Sequence, residues 1–194
     1  MNLPNKITIS RILMIPIFVA VYYLKVLPFN FVISAAIFAI ASLTDFLDGA
    51  IARKRNLVTA FGKFLDPIAD KVLVSTALIV LLVPFGADPF ALAEYGIPSF
   101  LPAIFVALIL ARELIISGFR LVAVERGKVI SADKWGKIKT FFTDVMIVWV
   151  LVFMDFDVKE LKLIGFILFG IAVVLTVYSG LECILKNKEI IKEK

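Results

Sequence analysis

Four aspartates punctuate the stretch "DFLDGAIARKRNLVTAFGKFLDPIAD", residues 45–70, in a chain that is otherwise rich in apolar residues. An ionised carboxylate beside hydrocarbon is expensive, so these four need a role that offsets the cost. Their spacing restricts what that role is. Asp45 and Asp48 lie three apart at the end of one apolar stretch, and Gly62, Asp66 and Asp70 lie four apart at the start of the next. On helices, each set shares a face. A short turn would make the two helices antiparallel neighbours and bring the four carboxylates to one mouth. Carboxylates converging at low dielectric repel one another and take up protons unless cations neutralise them. One or two divalent ions do so most economically. The chain has no histidine, which removes an ordinary zinc site, a Ser-His relay and an imidazole base. A metal here must be held by oxygen, which favours Mg²⁺ or Mn²⁺. Gly49 and Gly62 leave room beside the acids for a phosphate, and Arg53, one turn past Gly49, offers it a charge-assisted fork. A lone aspartate at a helix end is often a cap or a solvated side chain, and Asp66 before Pro67 has that reading too. Four in matched pairs, with two matched glycines, argue for a site. The run Arg53-Lys54-Arg55 reads first as an orientation signal, with only Arg53 singled out by its position.

The surrounding elements must hold these acids in a lipid-like solvent. Of 194 residues, 61% are hydrophobic and 19% charged, and the mean hydropathy is +1.01, well outside soluble usage. A soluble chain this small could not bury so much apolar surface. Six apolar stretches, at 7–24, 31–50, 64–85, 97–122, 138–154 and 163–185, each approach the ~20 residues that span hydrocarbon as a helix. The cleanest are Val26–Thr44 and Leu163–Leu181, free of charge throughout. The first stretch starts near the N-terminus with Lys6 and Arg11, like a signal peptide, but no convincing cleavage motif follows, so it reads as retained. Pro28, Pro84, Pro89, Pro98 and Pro102 fall at or near the expected helix ends. Cys183 allows no internal disulfide and reads as a small core filler. Without repeats or linkers, residues 1–194 read as a single domain.

Charge orients the chain. Six spans place both termini on one side, with the 2–3 and 4–5 connections. Of 21 Lys and Arg, all but Lys25, Lys159 and Lys162 fall on that side, which makes it cytoplasmic. The expectation is therefore an all-α integral membrane protein of six transmembrane helices. Both termini are cytoplasmic, and an aspartate-rich active site lies at the cytoplasmic ends of helices 2 and 3. The net charge of +5 is concentrated where anionic headgroups and cytosolic phosphates are met; no nucleic-acid partner is expected.

Asp45-x-x-Asp48-Gly49-x-x-Ala52-Arg53, eight residues, then Gly62-x-x-x-Asp66-x-x-x-Asp70 resembles the signature of the CDP-alcohol phosphatidyltransferases, complete and at the family spacing. "NLPNKITISR" at the N-terminus, "ARELIISGFR" at 111–120 and "SADKWGKIKT" at 131–140 resemble the bacterial phosphatidylglycerophosphate synthases, so the likeness covers essentially the whole chain. The resemblance implies that an acceptor hydroxyl attacks the diacylglycerol-side phosphorus of CDP-diacylglycerol and releases CMP. It also implies that Asp45, Asp48 and Asp66 ligate metal, and that Asp70 ligates a second ion and takes the acceptor's proton. Gly49, Ala52, Arg53 and Gly62 would line the CDP site. Two divalent ions across a diphosphate suit such a transfer, and an aspartate is a reasonable base where no histidine exists. A homodimer in the plasma membrane is implied as well.

Glycerol 3-phosphate, as a dianion, would demand extra cations. Arg112 and Arg120 lie eight apart, near one face of the fourth helix, and Lys137 and Lys139 open the fifth on the same side. Together they could form an anion pocket. Ordinary positive-inside loading explains Lys134, Lys137 and Lys139 equally well, and Glu113 offers Arg112 a structural ion pair instead. Asn5 and Arg11 are possible headgroup contacts, with a topological role for Arg11 at least as good. Asp144, inside the fifth stretch, has no assigned role. Two other readings stay open. One is the same chemistry with another acceptor, as in cardiolipin or phosphatidylinositol phosphate synthesis. The other is a small cation-binding transporter, although transporters tend to mirror their sites in two repeats, and here the acids lie in one hairpin.

Overall fold

The computed structural model describes residues 3–24, 26–55, 60–82, 90, 92–128, 130, 134–156 and 158–190; for residues 3–6, 45–55, 60–64 and 66 it describes the backbone path alone. The described residues are helical, with no strand. Six long helices run in chain order: α1 (Leu3–Tyr23), α2 (Asn30–Arg55), α3 (Ala60–Leu82), α4 (Leu101–Glu125), α5 (Lys134–Met154) and α6 (Lys159–Lys186). Short 3-10 turns at Leu92–Tyr95 and Lys188–Ile190 complete the list. Each helix falls on one of the six apolar stretches, but the helices overrun the hydrophobic pattern at their charged ends. Helix α2 continues through Arg55, α3 starts at Ala60 and α5 starts at Lys134. Once nucleated, propagation adds a hydrogen bond per residue, so a polar turn is carried along. Pro67 was expected near a helix start; it lies inside α3, as Pro16 lies inside α1. Pro102 stands at the first turn of α4, where its missing N–H is harmless.

Two of these helices, α4 and α6, are long and apolar enough to cross a bilayer by themselves, among the described residues. The apolar part of α2 is shorter than the sequence suggested. Residues 26–29 are turn, so the uncharged helical segment is Asn30–Thr44. The outer surface is apolar: Leu114 is 72% exposed, and Val174 and Leu185 67% each. In water such a surface would be an aggregation liability; hydrocarbon is the solvent that fits it.

Packing divides the chain into two compact units. The first combines Met1–Ala91 with Ile147–Leu163. In it α1 packs on α2 and α3, and α2 on α3. Lipid does not press helices together as water does, so close contact has to come from shape. Ala35 and Ala41 on α2, with Ala69 and Ala77 on α3, are buried small residues that let backbones approach, beside Phe18, Phe38 and Leu78. Asp155, just past α5, accepts the orphan N–H of Val32 at the start of α2, at 2.8 Å. Asn30 donates to the Tyr22 carbonyl at 2.6 Å, tying the α1–α2 turn.

The second unit combines Leu92–Met146 with Ile164–Lys194. Phe105 of α4 stacks on Phe166 and meets Phe169 edge-on, both from α6. Helix α4 ends in a Schellman motif. Gly127 takes a φ of 72°, its N–H reaches Val124 at 2.9 Å, and that of Lys128 reaches Ala123 at 2.8 Å. The turn hands Arg126 to the carbonyl of Ile190 at 2.6 Å, so the C-terminal 3-10 turn is tied to the end of α4.

Candidate active site

All eight signature positions lie on helix. Asp45, Asp48, Gly49, Ala52 and Arg53 occupy the last turns of α2, and Gly62, Asp66 and Asp70 the first turns of α3. Only residues 56–59 separate the two helices, and the helices are in contact. The i,i+3 and i,i+4 spacings therefore fall on true helical faces, as the sequence required. Of the four acids, Asp70 alone has a described side chain: it is half-buried and engaged with a partner. The side chains of Asp45, Asp48, Gly49, Ala52, Arg53, Gly62 and Asp66 lie outside the described residues, and so does that of Asn5. The donor types fit a hard divalent ion, being carboxylates without imidazole or thiolate. Among the described residues no three acidic or sulfur ligands gather, and three of the four aspartate side chains lie outside those residues.

Arg11 sits in the same unit and is the largest fully buried side chain there, at 0% exposure, engaged by its surroundings. A guanidinium that served only as a topological charge would stay in solvent, because burying it is costly without partners. Burial therefore favours a built-in role for Arg11.

In the second unit, α4, α5 and α6 assemble a basic cluster around one acid. Glu113 Oε1 accepts from Arg112 Nη1 at 3.1 Å and also from Lys139 Nζ. Arg112 Nη2 donates to Ser179 Oγ at 3.0 Å, and Ser179 in turn donates to the Thr176 carbonyl at 3.0 Å. Lys139 is buried on α5, and its carbonyl accepts from Thr143 at 2.9 Å. Thus two of the four expected acceptor cations are already engaged, and by the acid the sequence marked as a possible ion-pair partner. Arg120 differs. It is half-buried, its Nε is buried, and it makes no hydrogen bond among the described residues. Lys137 is exposed, as is Lys134. Asp144 is half-buried and engaged. The sequence reading missed Ser179 and its neighbour Gly180, which lie inside the uncharged segment Leu163–Leu181 that it took only as a span. A Ser-Gly pair interrupting an apolar helix was the available signal.

A sequence model of the CDP-alcohol phosphatidyltransferases matches residues 1–178. The chain belongs to that family. Curated relatives cover it almost end to end. A Bacillus subtilis protein named CDP-diacylglycerol--glycerol-3-phosphate 3-phosphatidyltransferase is 41% identical across 98% of this chain and 97% of its own length. Proteins of the same name from Rickettsia bellii and Salmonella paratyphi A are 39% and 40% identical, over 92% and 93% of the chain and 91% and 92% of their own lengths. Membership places this phosphatidyltransferase among enzymes rather than ion carriers.

Proposed function

We propose that this enzyme transfers the phosphatidyl group of CDP-diacylglycerol to glycerol 3-phosphate, giving phosphatidylglycerophosphate and CMP. The observation that carries the reading is a complete signature on two helices in contact, in a chain whose full-length relatives bear that activity in their names. The acceptor's hydroxyl oxygen forms a bond to the diacylglycerol-side phosphorus. The bond from that phosphorus to the cytidylate oxygen breaks, CMP leaves with the electron pair, and the hydroxyl proton passes to Asp70. Two divalent ions, Mg²⁺ or Mn²⁺, held by Asp45, Asp48, Asp66 and Asp70, would supply charge neutralisation at the diphosphate and acidity at the hydroxyl. Gly49, Ala52, Arg53 and Gly62 line the cytidylate side. Arg112, Arg120, Lys137 and Lys139 receive the acceptor's phosphate, with Arg120 and Lys137 forming no ion pair among the described residues. Asn5 contacts the lipid headgroup, whereas Arg11, fully buried and engaged, takes a structural role.

The same reading takes residues 1–194 as one catalytic domain, since the family match runs through both packing units. It makes the protein a six-span membrane protein with both termini and the active site cytoplasmic, on the strength of the basic-residue asymmetry, and the family resemblance makes it a homodimer of the plasma membrane. Acceptor competition tests the assignment. Purified enzyme in detergent receives CDP-diacylglycerol, Mg²⁺ and one of glycerol 3-phosphate, inositol phosphate or phosphatidylglycerol, and CMP release is followed. Release with glycerol 3-phosphate alone is expected; release with either other acceptor and none with glycerol 3-phosphate overturns it.

A further inference from the structure

Gly180 sits well inside α6, where glycine costs the helix about 1 kcal/mol relative to alanine. Something must offset that cost. A Cβ on Gly180 would lie 3.0 Å from Cγ of Arg112 and 3.3 Å from its Nε. The same carbon on Gly118 or Gly136 would meet nothing within 4 Å, and on Gly170 only Phe105, at 3.9 Å. Glycine at 180 thus makes a slot for the root of one particular side chain. Next to it, Ser179 is 2% exposed and accepts from Arg112 Nη2 at 3.0 Å. Glu113 holds the other terminal nitrogen. The guanidinium is therefore fixed at both ends, with its stem passing over a residue that has no side chain. Both Ser179 and Gly180 lie just past the last residue of the family match.

We infer that Ser179 and Gly180 are positioning residues for Arg112: Gly180 admits its stem and Ser179 sets the direction of its fork, so that the remaining guanidinium donors face the acceptor's phosphate. The inference rests on the acceptor-site role proposed for Arg112. A planar fork loses directionality if its stem moves by a few tenths of an ångström, and a bidentate phosphate contact feels that loss at once. Alanine is the better helix former, so Gly180→Ala does not weaken α6 on its own account.

Initial rates of CMP release at varied glycerol 3-phosphate, for wild type, Gly180→Ala, Ser179→Ala, Arg112→Ala and the two double variants with Arg112→Ala, test it. Gly180→Ala and Ser179→Ala should each raise KM for glycerol 3-phosphate about three- to ten-fold, the scale of one ordinary hydrogen bond. The KM for CDP-diacylglycerol and kcat should stay within about two-fold. In the Arg112→Ala background, neither change should add anything, because no stem or fork remains to displace. Should Arg112→Ala not fold, Arg112→Lys serves as the background for Ser179→Ala alone, since lysine has no fork for Ser179 to direct but keeps a stem over Gly180. An unchanged KM in both single variants, or an equal rise with and without Arg112, overturns the inference while the acceptor site stands. A normal KM in Arg112→Ala removes the acceptor role and the inference together.

Discussion

The acidic and basic halves of the proposed chemistry are built in opposite ways. The aspartates come from two consecutive helices separated only by residues 56–59, so helical register alone sets their spacing. The basic cluster draws on three helices. Arg112 and Glu113 are adjacent, Lys139 is 26 positions further on from Glu113, and Ser179 is 67 from Arg112. Local register needs no tertiary knowledge. Distant partners do, and they include groups that bring no charge of their own, such as Ser179 and Gly180. A second contrast concerns compensation. Glu113 already balances two of the cations in the second unit, whereas the proposed role of the four aspartates depends on ions supplied from outside. Removing an external ion should abolish function; loosening an internal network should only blunt it.

Chelation provides the largest test of that contrast. Excess EDTA should stop CMP release altogether, and Mg²⁺ or Mn²⁺ should restore it where Zn²⁺ does so poorly, because the donors are all oxygen. Full activity in EDTA breaks the comparison at its acidic end. Asp70→Asn comes next. It should lower kcat by ~10²–10⁴-fold while leaving binding of CDP-diacylglycerol intact, and extra Mg²⁺ should not rescue it, since a missing base is not a weakened ligand. Wild-type turnover at ordinary Mg²⁺ would take Asp70 out of the mechanism.

On the basic side, Arg120→Ala should raise KM for glycerol 3-phosphate by about 10- to 100-fold, the scale of a charge-assisted hydrogen bond, with donor binding spared. A defect in CDP-diacylglycerol binding instead would misplace the pocket. Glu113→Gln sharpens the comparison further. It keeps the shape but withdraws the charge that Arg112 and Lys139 share, so it should cost about 1–3 kcal/mol of stability, read as a lowered Tm, and change kcat little. An unaltered Tm would mean the network is not what holds these helices. The smallest effect belongs to the exposed Lys128–Glu189 pair, at 3.2 Å. Glu189→Ala should shift stability by under about 1 kcal/mol and vanish into noise at high salt.

How far the sequence carried the reading can be seen residue by residue. Asp45, Asp48, Asp66 and Asp70 were legible because a period of 3.6 turns sequence spacing into a shared face whenever the segment is helical. The six helices were legible because apolar runs of the right length have few other folds open to them in lipid, where every backbone N–H and C=O must be paired within its own segment. Their ends were less so. The apolar pattern stops at the first charged residues, while the hydrogen-bonded ladder of α2 and α5 runs on through those charged turns. The helix there is continued by local propagation that hydropathy does not register.

By itself, then, the sequence determined the solvent, the helical class and the helical spacing of the four acids, since each depends on composition or on neighbours along the chain. Tertiary structure alone decided which cations are engaged. Arg112, Arg120 and Lys139 all read as candidate phosphate cations in the sequence, yet Arg112 and Lys139 are tied to Glu113 while Arg120 makes no such bond among the described residues. It also decided that Gly180 matters, through the 3.0 Å that separates its missing Cβ from the stem of an arginine on another helix. Packing distances between helices far apart in the chain follow from how whole faces fit together, and no residue spacing encodes that.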